Sequence, residues 1–290
     1  MKKNRNWKQH TDVLFILPSL LGVSIFVLIP FLDVIMCSFQ NVTGEDFVGI
    51  KNYTTIFHNR AFLLASGNTL KFIGICIPLL ILFSLMLAVV LNEKIPGAKL
   101  LKRAFLIPMA IPVASIVLLW RLLFHEQGIL NGVLAGFSVH GQDWMNTNAA
   151  FTILVGSYIW KNIGYNIILW LAGLAAIPEA IYEAAKVEGA NWWKCFRYIT
   201  MPILKPTLYM ITTLAFLNSF KVFREAYLVA GSYPHDSIYL LQHLFNNWFR
   251  ELSLDKMSAA AVVVAIVIFI FIIIMKKALD KQEKRGGDVK

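Results

Sequence analysis

Six stretches of this chain are apolar over a length that suits a membrane, and short polar segments separate them. They fall at about 12–39, 68–92, 104–124, 150–174, 202–223 and 257–276. A helix that crosses the hydrocarbon core needs roughly 20 mostly apolar residues. The pattern therefore predicts an all-α, polytopic membrane protein with six transmembrane helices. The last stretch carries no charge from Ala259 to Met275. The first follows Lys2, Lys3 and Arg5, as a secretory signal would. Its apolar run is too long for one and lacks a small-x-small cleavage site, so it reads as a retained span. One membrane domain, 12–279, thus lies between a short N-terminus, 1–11, and a tail, 280–290. Composition agrees with the pattern: 58% of the 290 residues are hydrophobic and 15% are charged. The mean hydropathy of +0.63 is too high for a soluble domain of this length.

Charge converts the spans into a topology. A net charge of +10 would point to nucleic acid in a soluble protein, but here the positions decide otherwise. Lysines and arginines cluster at Lys2, Lys3, Arg5 and Lys8, and again at Lys94, Lys99, Lys102 and Arg103. They recur at Lys186, Lys194, Arg197 and Lys205, and in the tail at Lys276, Lys277, Lys281, Lys284, Arg285 and Lys290. These clusters lie on one side of a six-span path. The positive-inside rule places both termini and the linkers 93–103 and 175–201 in the cytoplasm. The partner implied by this charge is a bilayer, with no nucleic acid. The expected location is a bacterial or archaeal cytoplasmic (inner) membrane.

Smaller signals refine the outline. Cys37, Cys76 and Cys195 form no disulfide framework and read as small buried hydrophobes. Pro108 and Pro112 open the third span, and each removes a backbone donor and kinks a helix. Loop 40–67 is long enough for a small folded cap, and loop 125–149 is polar and rich in Gly and Asn. Loop 224–256, the longest, holds Tyr239, Trp248 and Phe249, aromatics suited to the interface or to a partner. Arg121 reads as a snorkelling residue at the outer end of span three.

The linker between spans four and five is the most informative segment. Pro178 suits the first position of a helix, with Glu179 and Glu183 near its positive end. Ala180, Ala184, Ala185 and Gly189 offer almost no bulk, while Tyr182 and Val187 can anchor the helix to the bundle. Gly189 suits a left-handed stop. Asn191 can cap a second short helix through Trp192, Trp193 and Phe196, aromatics that would hold it at the membrane boundary. On structure alone the alanines are simply good helix formers. A turn between spans, however, does not need so long a segment, and a small-residue helix at this face reads as a docking site for a partner.

At this point the residues resemble the permease subunits of binding-protein-dependent ATP-binding-cassette importers, in the carbohydrate branch and close to its maltose-type first subunit. The family's linker pattern appears as Glu183, Ala184, Ala185, Glu188, Gly189, Ala190 and Met201-Pro202. Leu171-Ala172-Gly173-Leu174 and Ile177-Pro178 resemble its approach to that loop. Phe47-Val48-Gly49-Ile50-Lys51-Asn52-Tyr53 is similar to the external motif of the first subunit, and Asn68-Thr69 opens span two as in the family. Arg103, Phe105, Pro108, Pro112, Trp120, Gly128 and Asn131 follow its span-three pattern. Glu188 stands for the usual Asp, Met201 for the usual Leu, and Gly231-Ser232-Tyr233-Pro234 for a Gly-Gly-Pro turn. The resemblance implies that the linker, 178–202, contains a coupling helix that docks in a groove on a separate ATPase. It implies as partners a second permease subunit in a heterodimer, two ATP-binding cassette subunits and an extracellular or periplasmic solute-binding protein. It implies a sugar or oligosaccharide as the solute, with a polyol, a glycerophosphodiester or an amino acid as the alternative. ATP and Mg would be held by the ATPase subunits, with no cofactor in this chain.

The residues agree that the chain has no engine of its own. No G-x-x-x-x-G-K-[ST] occurs, so no phosphate cradle is present, and neither H-E-x-x-H nor G-x-S-x-G occurs. The histidines, at 10, 58, 125, 140, 235 and 243, lie mostly outside the spans. Neither a catalytic residue nor a metal site is predicted. A stand-alone secondary carrier would show paired ionisable residues at midplane, and Lys161 is the one candidate here.

A second constellation follows from periodicity. Tyr158, Lys161, Asn162, Tyr165 and Asn166 share one face of span four, which continues as Leu169, Ala172, Gly173 and Ala176. A lysine inside a span costs about 2.5–3.5 kcal/mol on insertion scales and faces a bundle interior or a wet cavity. Amides pair with hydroxyls and rings stack on sugar faces, so the stripe is a candidate substrate path. On that reading Lys161 closes the outer gate or pairs with an acid on a neighbouring span; the competing reading is interhelical packing, or Lys161 snorkelling outward. Asn218 and Lys221, with Glu225, form a weaker stripe at the outer end of span five. It fits either the same path or an outer-leaflet salt bridge with aromatic packing.

Overall fold

The computed structural model describes residues 16–93 and 96–287, with side chains through residue 280. Lys2, Lys3, Arg5, Lys8, Lys94 and Lys290 lie outside the described residues, as does the start of the predicted first span. Among the described residues the secondary structure is helical, apart from one isolated bridge between Gln40 and Phe47. The chain divides into two compact units, one of residues 16–62 with Phe245–Phe269 and the other of Leu63–Leu244 with residues 270–287.

Four helices are long and apolar enough to cross a membrane, and six spans result if each of two bent pairs counts as one. We number α1 Ile16–Cys37, α2 Lys51–His58, α3 Arg60–Asn92, α4 Ala98–Ala110, α5 Val113–Phe124 and α6 Ile129–Gly136. There follow α7 Ala149–Ala175, α8 Glu179–Val187, α9 Trp192–Ile203, α10 Lys205–Ser219, α11 Phe223–Ala230, α12 Leu241–Arg250 and α13 Leu254–Gly287.

The elements depart from the hydropathy pattern where local chemistry outweighs it. Helix α3 begins at Arg60, within the predicted loop 40–67, because Asn59 Oδ1 accepts from Phe62 N and caps the helix three residues on. The third span is two helices rather than one kinked helix. Pro108 stays inside α4, while Ile111 turns extended (ψ 127°) before Pro112, as a residue preceding proline prefers. Span five starts at Lys205 after a bend at Leu204, passes a 3-10 turn at Phe220–Val222 and continues as α11. Much of the predicted loop 224–256 is therefore helix, α11 and α12 included.

The smaller unit shows what the motif at 47–53 does. Asn52 Nδ2 donates to the carbonyls of Ser38 (3.0 Å) and Gln40 (2.7 Å), closing the chain that leaves α1. Tyr53 OH and Ser38 Oγ lie 2.7 Å apart, and Gly49 holds a φ of +60° that favours glycine. The motif is a self-contained cap.

In the larger unit, a core joins α3, α7 and α10 through Leu85, Ala88, Ile167, Trp170, Leu174 and Ile211. Trp170 Nε1 donates to Ser84 Oγ at 3.1 Å, satisfying a buried indole without water. Asn68 Nδ2 donates to the carbonyls of Asp236 (2.5 Å) and Tyr239 (3.0 Å), and Leu241 N donates to Thr69 Oγ1 (3.0 Å). The Asn-Thr pair at the mouth of span two thus pins the segment before α12. His243 is fully buried there, edge-on to Phe223 and stacked with Tyr239. Its Nδ1 accepts from Leu240 N, and burial pushes its pKa down to about 4. Asn131 closes the loop after α6, donating to Glu126 O (2.8 Å) and Gln142 O (2.9 Å) and accepting from Trp144 Nε1 (2.7 Å). Arg121 is exposed, and its Nη2 donates to Leu228 O at 3.1 Å and ties α5 to α11. Cys76 and Cys195 are buried and Cys37 is half-buried, all as free thiols.

Two glycines let helices touch. A methyl at Gly164 would overlap the Phe105 carbonyl of α4, and one at Gly173 would come within 2.6 Å of Thr207 Oγ1 on α10. Overpacking a close contact costs about 1–3 kcal/mol. Gly164→Ala is therefore expected to lower the thermal midpoint of the purified permease, while Gly156→Ala, whose added methyl would meet nothing within 4 Å, leaves it unchanged. Equal midpoints for the two variants would refute the close approach of α4 and α7.

Candidate functional site

The linker 175–201 folds as a bent excursion from the spans. Helix α8 turns 65° from α7, and α9 turns 63° from α10. Pro178 is the residue before α8 rather than its first position, with extended backbone (ψ 132°), and Glu179 begins the helix. The C-terminus is a full left-handed stop. Gly189 takes φ +79°, its N–H donates to Lys186 O (3.0 Å), and Ala190 N donates to Ala185 O (2.9 Å). Asn191 Oδ1 then accepts from Lys194 N at 2.9 Å, capping α9.

Helix α8 buries none of its residues. Glu183, Ala184, Glu188 and Gly189 are exposed, and Ala185, Ala190 and Pro202 are half-buried. Val187 is 90% exposed, so it does not anchor the helix to the bundle as its pattern suggested. The anchor is Tyr182, whose hydroxyl lies 2.8 Å from Thr200 Oγ1 and whose ring packs on the core. The surface that remains carries Ala180 and Ala184 with the aliphatic Ile181 and Val187, and Glu179, Glu183 and Glu188 outnumber Lys186 on it. It is a surface that another body can approach closely.

The polar face of α7 divides in two. Tyr158 and Asn166 are buried: Tyr158 sits edge-on to Phe72 with centroids 5.4 Å apart, and its hydroxyl is 3.5 Å from Ala215 O. Lys161, Asn162 and Tyr165 are half-buried and remain partly open. Asn162 Nδ2 donates to Tyr158 O at 2.8 Å. Toward the linker the same face becomes interhelical packing, with Gly173 against Thr207 and Leu204.

Lys161 does not snorkel. Its Nζ lies 2.5 Å from Glu225 Oε1, with side chains 18% and 12% exposed, and the pair joins α7 to α11. Glu225 Oε2 is buried and makes no hydrogen bond among the described residues. Lys221 instead donates to Asn218 Oδ1 at 2.7 Å on the exposed side of the same turn. The span-five stripe is thus two separate contacts, and Glu225 belongs with Lys161. The sequence did carry the signal: Glu225 is the one acid between Glu188 and Asp236.

A cation and an anion taken out of water are stabilising only together, because removing one leaves the other uncompensated. Lys161→Met and Glu225→Gln are each expected to lower the thermal midpoint of the purified permease. The double variant should recover part of the loss, with a coupling of about 0.5–3 kcal/mol. Additive losses would mean that the ion pair carries no interaction energy.

Comparison with known proteins places this geometry. Residues 80–285 match the family model for the binding-protein-dependent transport system inner membrane component. The trehalose/maltose transport system permease protein MalF of Thermococcus litoralis is 31% identical over 242 residues, covering 81% of this chain and 82% of that protein. The arabinooligosaccharides transport system permease protein AraP of Bacillus subtilis is 35% identical over 230 residues, 77% of this chain and 72% of that protein. The fold is that of a chain in the crystal structure of a bacterial ABC transporter involved in alginate import. The TM-score is 0.81 at 21% identity, over 96% of this chain and 99% of that one. This chain belongs to the family of inner-membrane components of binding-protein-dependent transport systems, and it is a multi-pass membrane protein.

Proposed function

We propose that the chain is the permease subunit of an ATP-driven importer and forms part of the path for a sugar or oligosaccharide delivered by an external binding protein. The observation that carries the coupling half is α8, a helix with no buried residue that ends in a rigid left-handed stop and stands 65° off the span it follows. A separate ATPase docks on Ala184 and its neighbours, with Glu183 and Glu188 offering charge-assisted contacts to basic residues of the partner. Closure of the ATPase moves α8, and Tyr182–Thr200 passes that movement to α9 and on to span five. ATP and Mg belong to that partner. The sugar half rests on the carbohydrate-transport relatives and on the half-open amide and phenol groups of α7. The two termini lie in the cytoplasm, consistent with the lysine and arginine distribution.

The deciding experiment purifies the chain with its partner permease and ATPase and measures ATP hydrolysis in vesicles with binding protein and a panel of neutral oligosaccharides. Stimulation by one of them is expected; stimulation by amino acids alone would replace the sugar reading.

Two variants dissect the path. Ala184→Trp has room in the free chain, since Ala184 is exposed. It should leave membrane insertion and thermal stability unchanged, yet abolish copurification of the ATPase. Glu183→Ala should weaken the same contact by about ten- to a hundredfold, the scale of one charged hydrogen bond of roughly 1.5–3 kcal/mol. Normal copurification with Ala184→Trp would remove α8 as the docking site.

Asn162→Ala tests the solute path. A neutral hydrogen bond contributes about 0.5–1.5 kcal/mol, roughly a three- to twelvefold effect. Uptake of the stimulating sugar should fall by that factor while basal ATP hydrolysis persists. Unchanged uptake would assign Asn162 to packing against Tyr158.

A further inference from the structure

Helix α9 presents a surface that the coupling role of α8 does not use. Trp192 stacks on Phe196 with centroids 5.4 Å apart and planes 3° from parallel, and Trp193 stacks on the same ring at 5.9 Å. Despite this packing, Trp192 and Trp193 are 59% and 61% exposed, and Tyr198 is 76% exposed. Lys194, Arg197 and Lys205 are exposed beside them, and no acidic residue occurs from Gly189 to Lys205. The opposite side, Cys195, Thr200 and Leu204, is buried. The helix also stands 63° from α10, the span it feeds. If α10 runs near the bilayer normal, α9 lies near the bilayer plane.

We propose that α9 is an interfacial helix that recognises anionic phospholipid headgroups of the cytoplasmic leaflet. The proposal rests on reading α10 as a membrane span. Tryptophan and tyrosine favour the headgroup level, where an apolar ring meets water. Lysine and arginine next to them meet the negative potential of that leaflet. The alternative occupant, the ATPase, fits less well, because the surface proposed for it on α8 has Glu179, Glu183 and Glu188 against one lysine and no exposed aromatic, where α9 is aromatic and purely cationic. Anionic lipid on α9 fixes the height of the linker relative to the bilayer, and with it the position from which α8 meets its partner.

The test reconstitutes the assembled transporter in vesicles of phosphatidylcholine and phosphatidylglycerol, with acyl bromines on one lipid or the other. The emission of Trp192 and Trp193 is isolated by subtracting that of the Trp192→Phe, Trp193→Phe variant, which keeps aromatic rings at both places. Quenching by both brominated lipids is expected, several-fold more effective for the phosphatidylglycerol. In the Lys194→Gln, Arg197→Gln, Lys205→Gln variant the preference should vanish while quenching by brominated phosphatidylcholine remains. Equal quenching by the two lipids in the native sequence would overturn headgroup recognition. Emission indifferent to both lipids, and shielded only with the ATPase bound, would make α9 a protein interface. The readout needs no solute, so it stands or falls apart from the sugar assay.

Discussion

Hydrocarbon offers no partner to a backbone N–H or C=O, so a chain inside it must close its own hydrogen bonds. Every break in this fold answers to that constraint. Where Ile111 turns extended ahead of Pro112, Ser115 N and Ile116 N pick up the Pro112 carbonyl at 3.0 and 3.3 Å, so α5 starts at once. At the bend before α10, Leu204 N still reaches Thr200 O (2.9 Å), and Leu208 N reaches Leu204 O (2.8 Å). The chain changes direction there with these two bonds kept, although Pro206 has no N–H to offer the Pro202 carbonyl. Gly164 belongs to the same logic. With its own backbone bonds closed, α4 can lie against α7 by van der Waals contact, and a residue without a side chain sets how near it comes.

The same medium favours polar side chains that find partners inside the bundle, although Glu225 Oε2 is buried there without one among the described residues. Trp170 meets Ser84, Lys161 meets Glu225, and Asn162 bonds back to its own helix. The ion pair sits where α10 gives way to a 3-10 turn and then α11. It holds the α11 end of span five to span four by charge, while Gly173 against Thr207 holds the α10 end by shape. Between the two, the buried side chains of Ile167 and Trp170 on α7 and Ile211 on α10 share one core.

The helical class and the membrane setting were legible in the sequence, because they follow from composition and periodicity. So were the stop at Gly189 and the cap at Asn191, which are local and need no knowledge of the rest of the fold. The third apolar stretch, read at 104–124, gives way to a crossing-length helical run at Val113–Gly136. What escaped depends on distant partners. Hydropathy could not place the start of α3, since Arg60 is polar and its helix is fixed by the Asn59 cap. It read Val187 as an anchor from its apolar side chain, although the turn of α8 points that residue outward. It allowed Lys161 an acid on a neighbouring span but did not name Glu225, which lies 64 residues away. The loop before α13 looked irregular because α12 is amphipathic and short, and only contacts such as Asn68 with Asp236 and Tyr239 determine its place.

The linker shows how a single device serves two requirements. On the proposed reading α8 is a docking helix, which has to leave the bundle far enough to be reached, yet stay stiff enough to move the spans. The 65° and 63° bends take α8 and α9 out of the spans. Stiffness comes from the closed turn between them, where Gly189, Ala190 and Asn191 use up the free ends of both helices. Tyr182 on Thr200 then makes the pair a unit, although α8 has no buried residue of its own. A force applied to the exposed face of α8 is therefore delivered to α9 and, one residue beyond it, to the first turn of α10. Span five is the helix whose outer end Glu225 fastens to Lys161. On the proposed reading, the partner's closure reaches the polar face of α7 along this route, with no flexible segment between.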